Sequence, residues 1–343
     1  MFMIIFSHLM GQTGAIEATT GFNHLFAILA GSASRIGVAL FVMIGSWFMA
    51  GNRMNASRIL KVWCEVLFYT ALITLVLFLL GYPVTTLQLI SSFFPFLRRP
   101  LWFAGAYIAL MLLSPFLNEV FSWEKSRQTK LLITMTIIVV IVSTTSRFMD
   151  TFLCNVFGFS YLYLLTGYYK FHIHNENKGK YKNIMFLSAF LVYLVIVLIK
   201  WYSSTMADTN TLFEYVYKLS TQYLSDFKSL PNLIISSAIF YYFSNTDMGS
   251  NKIINFMARS AFGVYIIHQT PAFINVLWNS IFKVNSWINS KYFVLLSVMT
   301  VLLIYIGGVG VDTIRVKFIE KPWVNSKWYF KLSNMLTHIL RME

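Results

Sequence analysis

Ionisable residues inside apolar stretches are the first candidates for chemistry, because a charge there is costly and points to a function. The sequence places His8, Arg35, Glu65 and His268 in such stretches. Histidine is the side chain best suited to exchange a proton near neutral pH, so His8 and His268 are candidate general bases. The alternative for each is a structural ring that hydrogen-bonds a neighbouring helix. Glu65 follows Lys61 by one helical turn, and we expect a local ion pair between them.

The composition places these residues in a membrane protein. Of 343 residues, 57% are hydrophobic and 12% are charged, with a mean hydropathy of +0.64. A soluble domain is about 45–50% apolar and about 25% charged. The same values exclude disorder, a coiled coil and a disulfide scaffold. We find no P-loop, no nucleophile-elbow or zincin motif and no Cys/His cluster, so we expect no bound metal.

The apolar stretches predict an all-α fold, a polytopic transmembrane helix bundle with about ten spans. Residues 1–10 are apolar but too short to span, and we interpret them as the outer half of a truncated first helix. A signal peptide is rejected because no Lys or Arg precedes Arg35. The full-length stretches are 34–51, 62–82, 100–118, 131–149, 153–169, 184–201, 229–245, 260–281 and 292–314.

The basic residues predict the orientation of the bundle. Most of the 27 Lys and Arg residues fall on segments that an even number of spans, with both termini in the cytoplasm, places inside. The pair Arg98-Arg99 falls on the opposite side. This bias accounts for the net charge of +14. Nucleic-acid binding is rejected because the basic residues form no stripe.

We divide the chain into a transmembrane domain, residues 1–314, and a basic cytoplasmic tail, residues 315–343. The tail is rich in aromatic residues and predicts an amphipathic helix on the inner membrane surface. Residues 202–228 are the longest connection, and we expect an outer helical segment there. No internal repeat or second domain is visible.

Several stretches in this order resemble the membrane-bound acyltransferase 3 family of bacterial O-acyltransferases, and the resemblance covers essentially the whole chain. The matching stretches are 35–49 (RIGVALFVMIGSWFM), 101–107 (LWFAGAY) with 113–115 (LSP), 163–169 (YLLTGYY), 260–268 (SAFGVYIIH) and 318–323 (FIEKPW). The resemblance implies transfer of an acyl group, usually acetyl from acetyl-CoA, to a hydroxyl of an envelope glycan or another exported molecule. It also implies a bacterial cytoplasmic membrane, with membrane lipids and a glycan or lipid-linked glycan as partners.

The resemblance assigns roles to individual residues. His8 matches the essential histidine of the family's first helix, and the family's basic residue about eleven positions earlier would precede Met1. The family's closely paired arginines are matched only loosely by Arg53 and Arg58. The remaining pocket positions that match are Arg35, Trp102, Tyr265 and His268.

A mechanism follows on physical grounds. Acyl-CoA acts as a co-substrate, not as a permanently bound cofactor, and its phosphates need cations, which Arg53, Arg58 and Lys61 can supply. The alternative for these cations is anchoring of the inner membrane face. His8 would deprotonate the acceptor hydroxyl, which would attack the thioester.

Two other functions fit the same sequence. A transporter or flippase for a lipid-linked glycan needs the same number of spans, although we see no inverted repeat. An inactive, truncated paralogue is suggested by the incomplete first helix.

Overall fold

A computed structural model of the protein describes residues 1–95, 101–145, 152–174 and 179–339. Within these ranges every regular element is a helix, so the predicted all-α membrane bundle is confirmed. Arg98-Arg99, the end of the predicted span 131–149 and the last tail residues lie outside the described ranges. Among the described residues, five helical segments are long and apolar enough to cross a bilayer, judged by length and composition.

The helices follow one another along the chain with short connections. They are α1 (Phe2–Gln12), α2 (Ala15–Ala18), α3 (Gly21–Ser32), α4 (Ser34–Met49), α5 (Ala56–Leu79), α6 (Thr86–Ser92), α7 (Trp102–Glu119), α8 (Lys125–Thr145), α9 (Phe152–His172), α10 (Lys182–Met206), α11 (Thr211–Ser225), α12 (Leu230–Ser244), α13 (Lys252–Arg259), α14 (Ala261–Gln269), α15 (Pro271–Asn275), α16 (Phe293–Arg315), α17 (Lys321–Val324) and α18 (Lys327–Ile339).

Two predicted spans differ from the structure. The first long span runs from Gly21 to Met49 because α3 continues almost directly into α4. The prediction began only at residue 34 and therefore missed α3. The predicted span 260–281 is broken: α14 ends at Gln269, Thr270 is extended with a ψ of 121°, and a π-helical turn, Val276–Ile281, follows α15. Pro271 causes the break, because proline disfavours a helical conformation in the residue before it.

Helix α1 packs into the bundle against α3, α4 and α16. Glycines permit its close approach. A Cβ atom on Gly31 would lie 3.4 Å from Cβ of Met10, and one on Gly37 would lie 3.2 Å from Cγ1 of Ile4. The Ser7 hydroxyl donates to the Gly31 carbonyl oxygen at 2.6 Å. These contacts fix the rotation of α1 and the position of His8, one residue after Ser7.

Helix α14 lies against both α5 and α16. A Cβ atom on Gly308 would lie 2.9 Å from Val264, so the small residue on α16 lets the two helices meet. In the glycine-rich stretch 307–310, Gly308 is thus the residue that serves helix packing. Gly307 and Gly310 have open space beside them.

The connection 202–228 and the tail both contain helices. The expected helix in the connection 202–228 is α11 (Thr211–Ser225). The side chain of its N-cap residue, Asn210, accepts a hydrogen bond from the Leu212 amide. In the tail, α16 continues past residue 314 to Arg315, and a π-helical turn, Val316–Glu320, leads to α17 and α18. The predicted tail helix corresponds to α18.

Candidate active site

A cavity of about 310 Å³ opens beside α1 and is lined by residues of α1, α3, α4, α7, α10, α11 and α14. We call it the histidine cavity. Its volume lies at the lower end of the range for small-molecule sites, about 300–1,000 Å³. The polar and charged side chains among its lining residues are Ser7, His8, Gln12, Ser32, Ser34, Arg35, Trp102, Lys200, Thr221, Ser225 and Tyr265.

His8 is half-buried in this cavity and forms a pair with the fully buried His268. Nδ1 of His8 lies 3.0 Å from Nε2 of His268. Nδ1 of His268 lies 2.6 Å from the carbonyl oxygen of Val264, one turn earlier on α14. The two alternatives predicted for these histidines, a general base and a structural ring, are divided between them. His268 is hydrogen-bonded within the bundle, and His8 faces a cavity.

The hydrogen bonds determine the protonation of neutral His8. A carbonyl oxygen only accepts, so the proton of His268 is on Nδ1 and its Nε2 accepts. The proton of His8 is therefore on Nδ1, donated to His268, and its Nε2 keeps a free lone pair. In the described part of the chain, Nε2 of His8 has no hydrogen-bond partner. This is the tautomer that a general base at Nε2 requires.

A second bridge holds α1 in place next to the histidine pair. The Gln12 side-chain amide donates to Oε1 of Gln269 at 3.1 Å, and its oxygen accepts from the indole of Trp278 at 2.7 Å. Because Gln269 follows His268 directly, both bridges join the same two helices. The distance between His8 and His268 is therefore fixed by more than one contact.

Aromatic rings form one wall of the histidine cavity. Phe103 contacts Phe41 and Tyr265 edge-on, with ring centroids 5.3 and 5.4 Å apart, and Phe262 lies 6.1 Å from Tyr265. Arg35 lies over the Trp102 ring, 5.3 Å from its centroid. Such a wall offers flat apolar surface to a sugar ring or an acyl chain, and a cation beside it.

A second cavity of about 470 Å³ lies between α5 and the end of α16, and its lining includes Lys61, Glu65, Arg315 and Glu320. Arg315 holds three carboxylates: Asp312 at 2.9 Å, Glu320 at 2.7 Å and Glu65 at 3.2 Å. The expected local pair of Glu65 with Lys61 is therefore wrong. Glu65 reaches a buried guanidinium, which offers several donors, instead of a half-buried ammonium.

The structure brings most of the predicted pocket residues together. His8, Arg35, Trp102 and Tyr265 all line the histidine cavity, and His268 stands directly behind His8. The predicted phosphate-binding cations lie elsewhere. Arg53 and Arg58 are exposed and line neither described cavity, and Lys61 lines the second one.

Lys200 is the cavity residue that the sequence analysis missed as a site residue. It is buried, with 6% of its surface exposed, although it lies near one end of the apolar helix α10. The usable signal was a lone ionisable residue inside the predicted span 184–201.

Fold and site together define a polytopic membrane protein with a histidine-based cavity inside its helical bundle. A family model described as an acyltransferase domain matches residues 1–309. The chain belongs to this family, acyltransferase 3, and is a membrane acyltransferase. No curated protein and no solved structure matches it significantly. The family resemblance of the sequence is thus confirmed.

Proposed function

We propose that the protein is an O-acyltransferase that moves an acyl group, acetyl in the simplest case, from cytoplasmic acyl-CoA to a hydroxyl of an envelope glycan or another exported molecule. The observation that carries this proposal is the hydrogen-bond geometry of His8 and His268, from which the tautomer of His8 follows. Its Nδ1 is committed to His268, and its Nε2 lone pair belongs to a residue that lines a cavity of substrate size.

The proposed reaction uses His8 twice. Nε2 of His8 takes the proton of the acceptor hydroxyl while the hydroxyl oxygen attacks the thioester carbonyl carbon. The tetrahedral intermediate collapses with cleavage of the C–S bond, and the departing thiolate receives the proton from the His8 imidazolium. The hydrogen bond to His268 keeps the ring oriented through both steps. Products are the O-acyl ester and free CoA.

The donor would approach from the other end of α4. Arg53 and Arg58 flank the connection between α4 and α5 and are exposed to solvent. Arg58 and Lys61 are three residues apart on α5 and therefore share a face. In the orientation predicted from the basic residues this end is cytoplasmic, and these cations are available to the phosphates of CoA.

A His8→Ala variant tests the proposal. We expect loss of acyl transfer by about 10²–10⁴-fold, the usual contribution of a positioned base. Mass spectrometry of envelope glycans, from cells that express either protein, measures the acyl mass shift. Release of CoA from acetyl-CoA by the reconstituted protein would identify acetyl-CoA as the acyl donor. His338→Ala, at an exposed tail position, is the matched control.

The same experiment separates the alternatives. A transporter predicts movement of a lipid-linked glycan with no acyl mass shift, and an inactive paralogue predicts neither. Full glycan acylation by a well-expressed His8→Ala protein would overturn the proposal.

A further inference from the structure

The histidine cavity carries two cationic side chains and no anionic side chain among the lining residues that the structure describes. Arg35 enters from α4 and Lys200 from α10. Neither takes part in an ion pair within the described ranges, where the observed pairs involve Lys218, Lys228 and Arg315. Buried charges in proteins are normally paired. Lys200 is buried and Arg35 is half-buried, and among the described residues neither has the negative partner that burial of a charge calls for.

Lys200 shows this most clearly. Its polar contact is the Ser32 hydroxyl, which lies 3.5 Å from Nζ, at the limit of hydrogen bonding. The carboxylate whose charge reaches Lys200 is that of Glu17. Glu17 is exposed, does not line the cavity and makes no ion pair with Lys200. The ammonium of Lys200, with 6% of the residue exposed, thus lies next to the cavity with little negative charge to neutralise it.

Arg35 has spare binding capacity in the same space. Its guanidinium carries five N–H donors, and its observed contact is with the face of Trp102. The hydroxyl groups of Ser34, Thr221 and Ser225 line the cavity with it. A guanidinium in this setting can bind a carboxylate or a phosphate through two parallel hydrogen bonds.

We propose that the histidine cavity binds an anionic acceptor, a sugar or related alcohol that carries a carboxylate or phosphate held by Arg35 and Lys200. This inference rests on the proposed function, since it names the class of molecule whose hydroxyl His8 deprotonates. The anion fixes the molecule in the cavity and leaves a neighbouring hydroxyl at Nε2 of His8. The aromatic wall contacts the apolar face of the sugar ring.

The donor's phosphates are the other source of negative charge, but the geometry assigns them elsewhere. Arg35 stands in the first turn of α4, and Arg53 follows its last turn. The helix between residues 35 and 49 is about 21 Å long at a rise of 1.5 Å per residue. The cavity cations and the exposed arginines are therefore separate sites at opposite ends of one helix.

The test is ligand binding by the purified full chain in detergent, measured from the shift of the thermal unfolding midpoint. The probes are glucose, glucuronate, glucose 6-phosphate and CoA. Glucuronate differs from glucose by a carboxylate in place of a hydroxymethyl group. We expect the anionic sugars to stabilise the wild type and glucose to do so far less. His8→Ala should retain this preference, because binding does not need proton transfer.

Substitutions of Lys200 and Arg35 test whether the preference for anionic sugars comes from the histidine cavity. Lys200→Gln and Arg35→Gln should each weaken glucuronate binding by about tenfold or more. Lys200→Arg should keep it, which controls for misfolding at a buried position. Lys218→Gln is the matched control, because this lysine is exposed on α11 and pairs with Glu214.

The outcomes that overturn the inference are distinct. Equal stabilisation by glucose and glucuronate, or by none of the sugars, excludes an anionic acceptor. Loss of CoA binding in Lys200→Gln would assign the cations to the donor instead. If His8→Ala still acylates glycans while the anion preference stands, the proposed function fails and the anion site remains.

Discussion

Nδ1 of His268 lies 2.6 Å from the carbonyl oxygen of Val264, and this contact decides where His8 carries its proton. Because the carbonyl only accepts, His268 presents a lone pair to His8 at 3.0 Å. The buried ring therefore acts as a positioning residue. It contacts the base and does not line the cavity.

Replacement of His268 by Phe removes the acceptor for Nδ1–H of His8 while keeping an aromatic ring. We expect kcat for acyl transfer to fall by about tenfold, the equivalent of one hydrogen bond of ~1.4 kcal/mol, with KM for acyl-CoA unchanged. His268→Gln retains a side-chain acceptor and should restore much of the rate. A steady-state assay of CoA release over a range of pH measures both variants. An equal loss of kcat in His268→Phe and His268→Gln would indicate a purely structural role for His268.

Arg315 is the single observed cationic partner of three carboxylates, with 7% of its side chain exposed. Arg315→Met should destabilise the protein by about 3–5 kcal/mol, because it leaves Glu65, Asp312 and Glu320 buried or half-buried without a counter-charge. Thermal unfolding in detergent, with expression yield, measures the effect. Arg259→Met is the control at an exposed arginine. A similar midpoint for both variants would show that the cluster does not stabilise the fold.

Gly263 marks the closest approach of α14 to this cluster. A Cβ atom there would lie 2.5 Å from Oδ1 of Asp312 and 3.0 Å from Oε1 of Glu65. We expect Gly263→Ala to displace these carboxylates and to cost about 1–3 kcal/mol, as overpacking does. The same change at Gly307, where nothing lies within 4 Å, should be tolerated. The comparison of the two unfolding midpoints is the measurement, and equal midpoints would contradict the expected crowding.

Tyr329 attaches the tail helix to the bundle. Its hydroxyl donates to the Ser57 carbonyl oxygen at 2.8 Å and lies 2.5 Å from the Ser57 hydroxyl. Burial raises the pKa of the Tyr329 phenol, so the donor proton stays in place at neutral pH. Tyr329→Phe should release the tail at a cost of about 1 kcal/mol. Limited proteolysis of α18 measures the release of the tail, with Tyr215→Phe at an exposed position as the control. Unchanged cleavage of α18 in Tyr329→Phe would refute the attachment.

Sequence reasoning predicted the helical class and four of the residues that line the histidine cavity, but not the contacts between distant segments. Apolar stretches specify helices, and the family resemblance supplied His8, Arg35, Trp102 and Tyr265. The pairing of Glu65 was predicted from the nearest turn, whereas its partner, Arg315, follows about 250 residues later. Pairing over that distance depends on how helices pack, and hydropathy carries no information about it.

Two further features needed the structure for physical reasons. Lys200 looks like an ordinary basic helix end in sequence, and only the packing of α11 beside α10 shows that it is buried. The missed helix α3 contains Asn23 and His24, which interrupt its apolar pattern. Both side chains are satisfied by tertiary hydrogen bonds, to Ser290 and to Ile16 and Ser204.

The nine residues of helix α14 contact both the histidine pair and the carboxylate cluster around Arg315. Tyr265 lines the histidine cavity and His268 forms the pair with His8, while Gly263 lies against the carboxylates around Arg315. A helix this short moves as one rigid body, so a displacement at the Arg315 cluster also displaces His268. We therefore expect a genetic screen for lost acylation to recover substitutions around Arg315, far from any substrate, alongside those at His8.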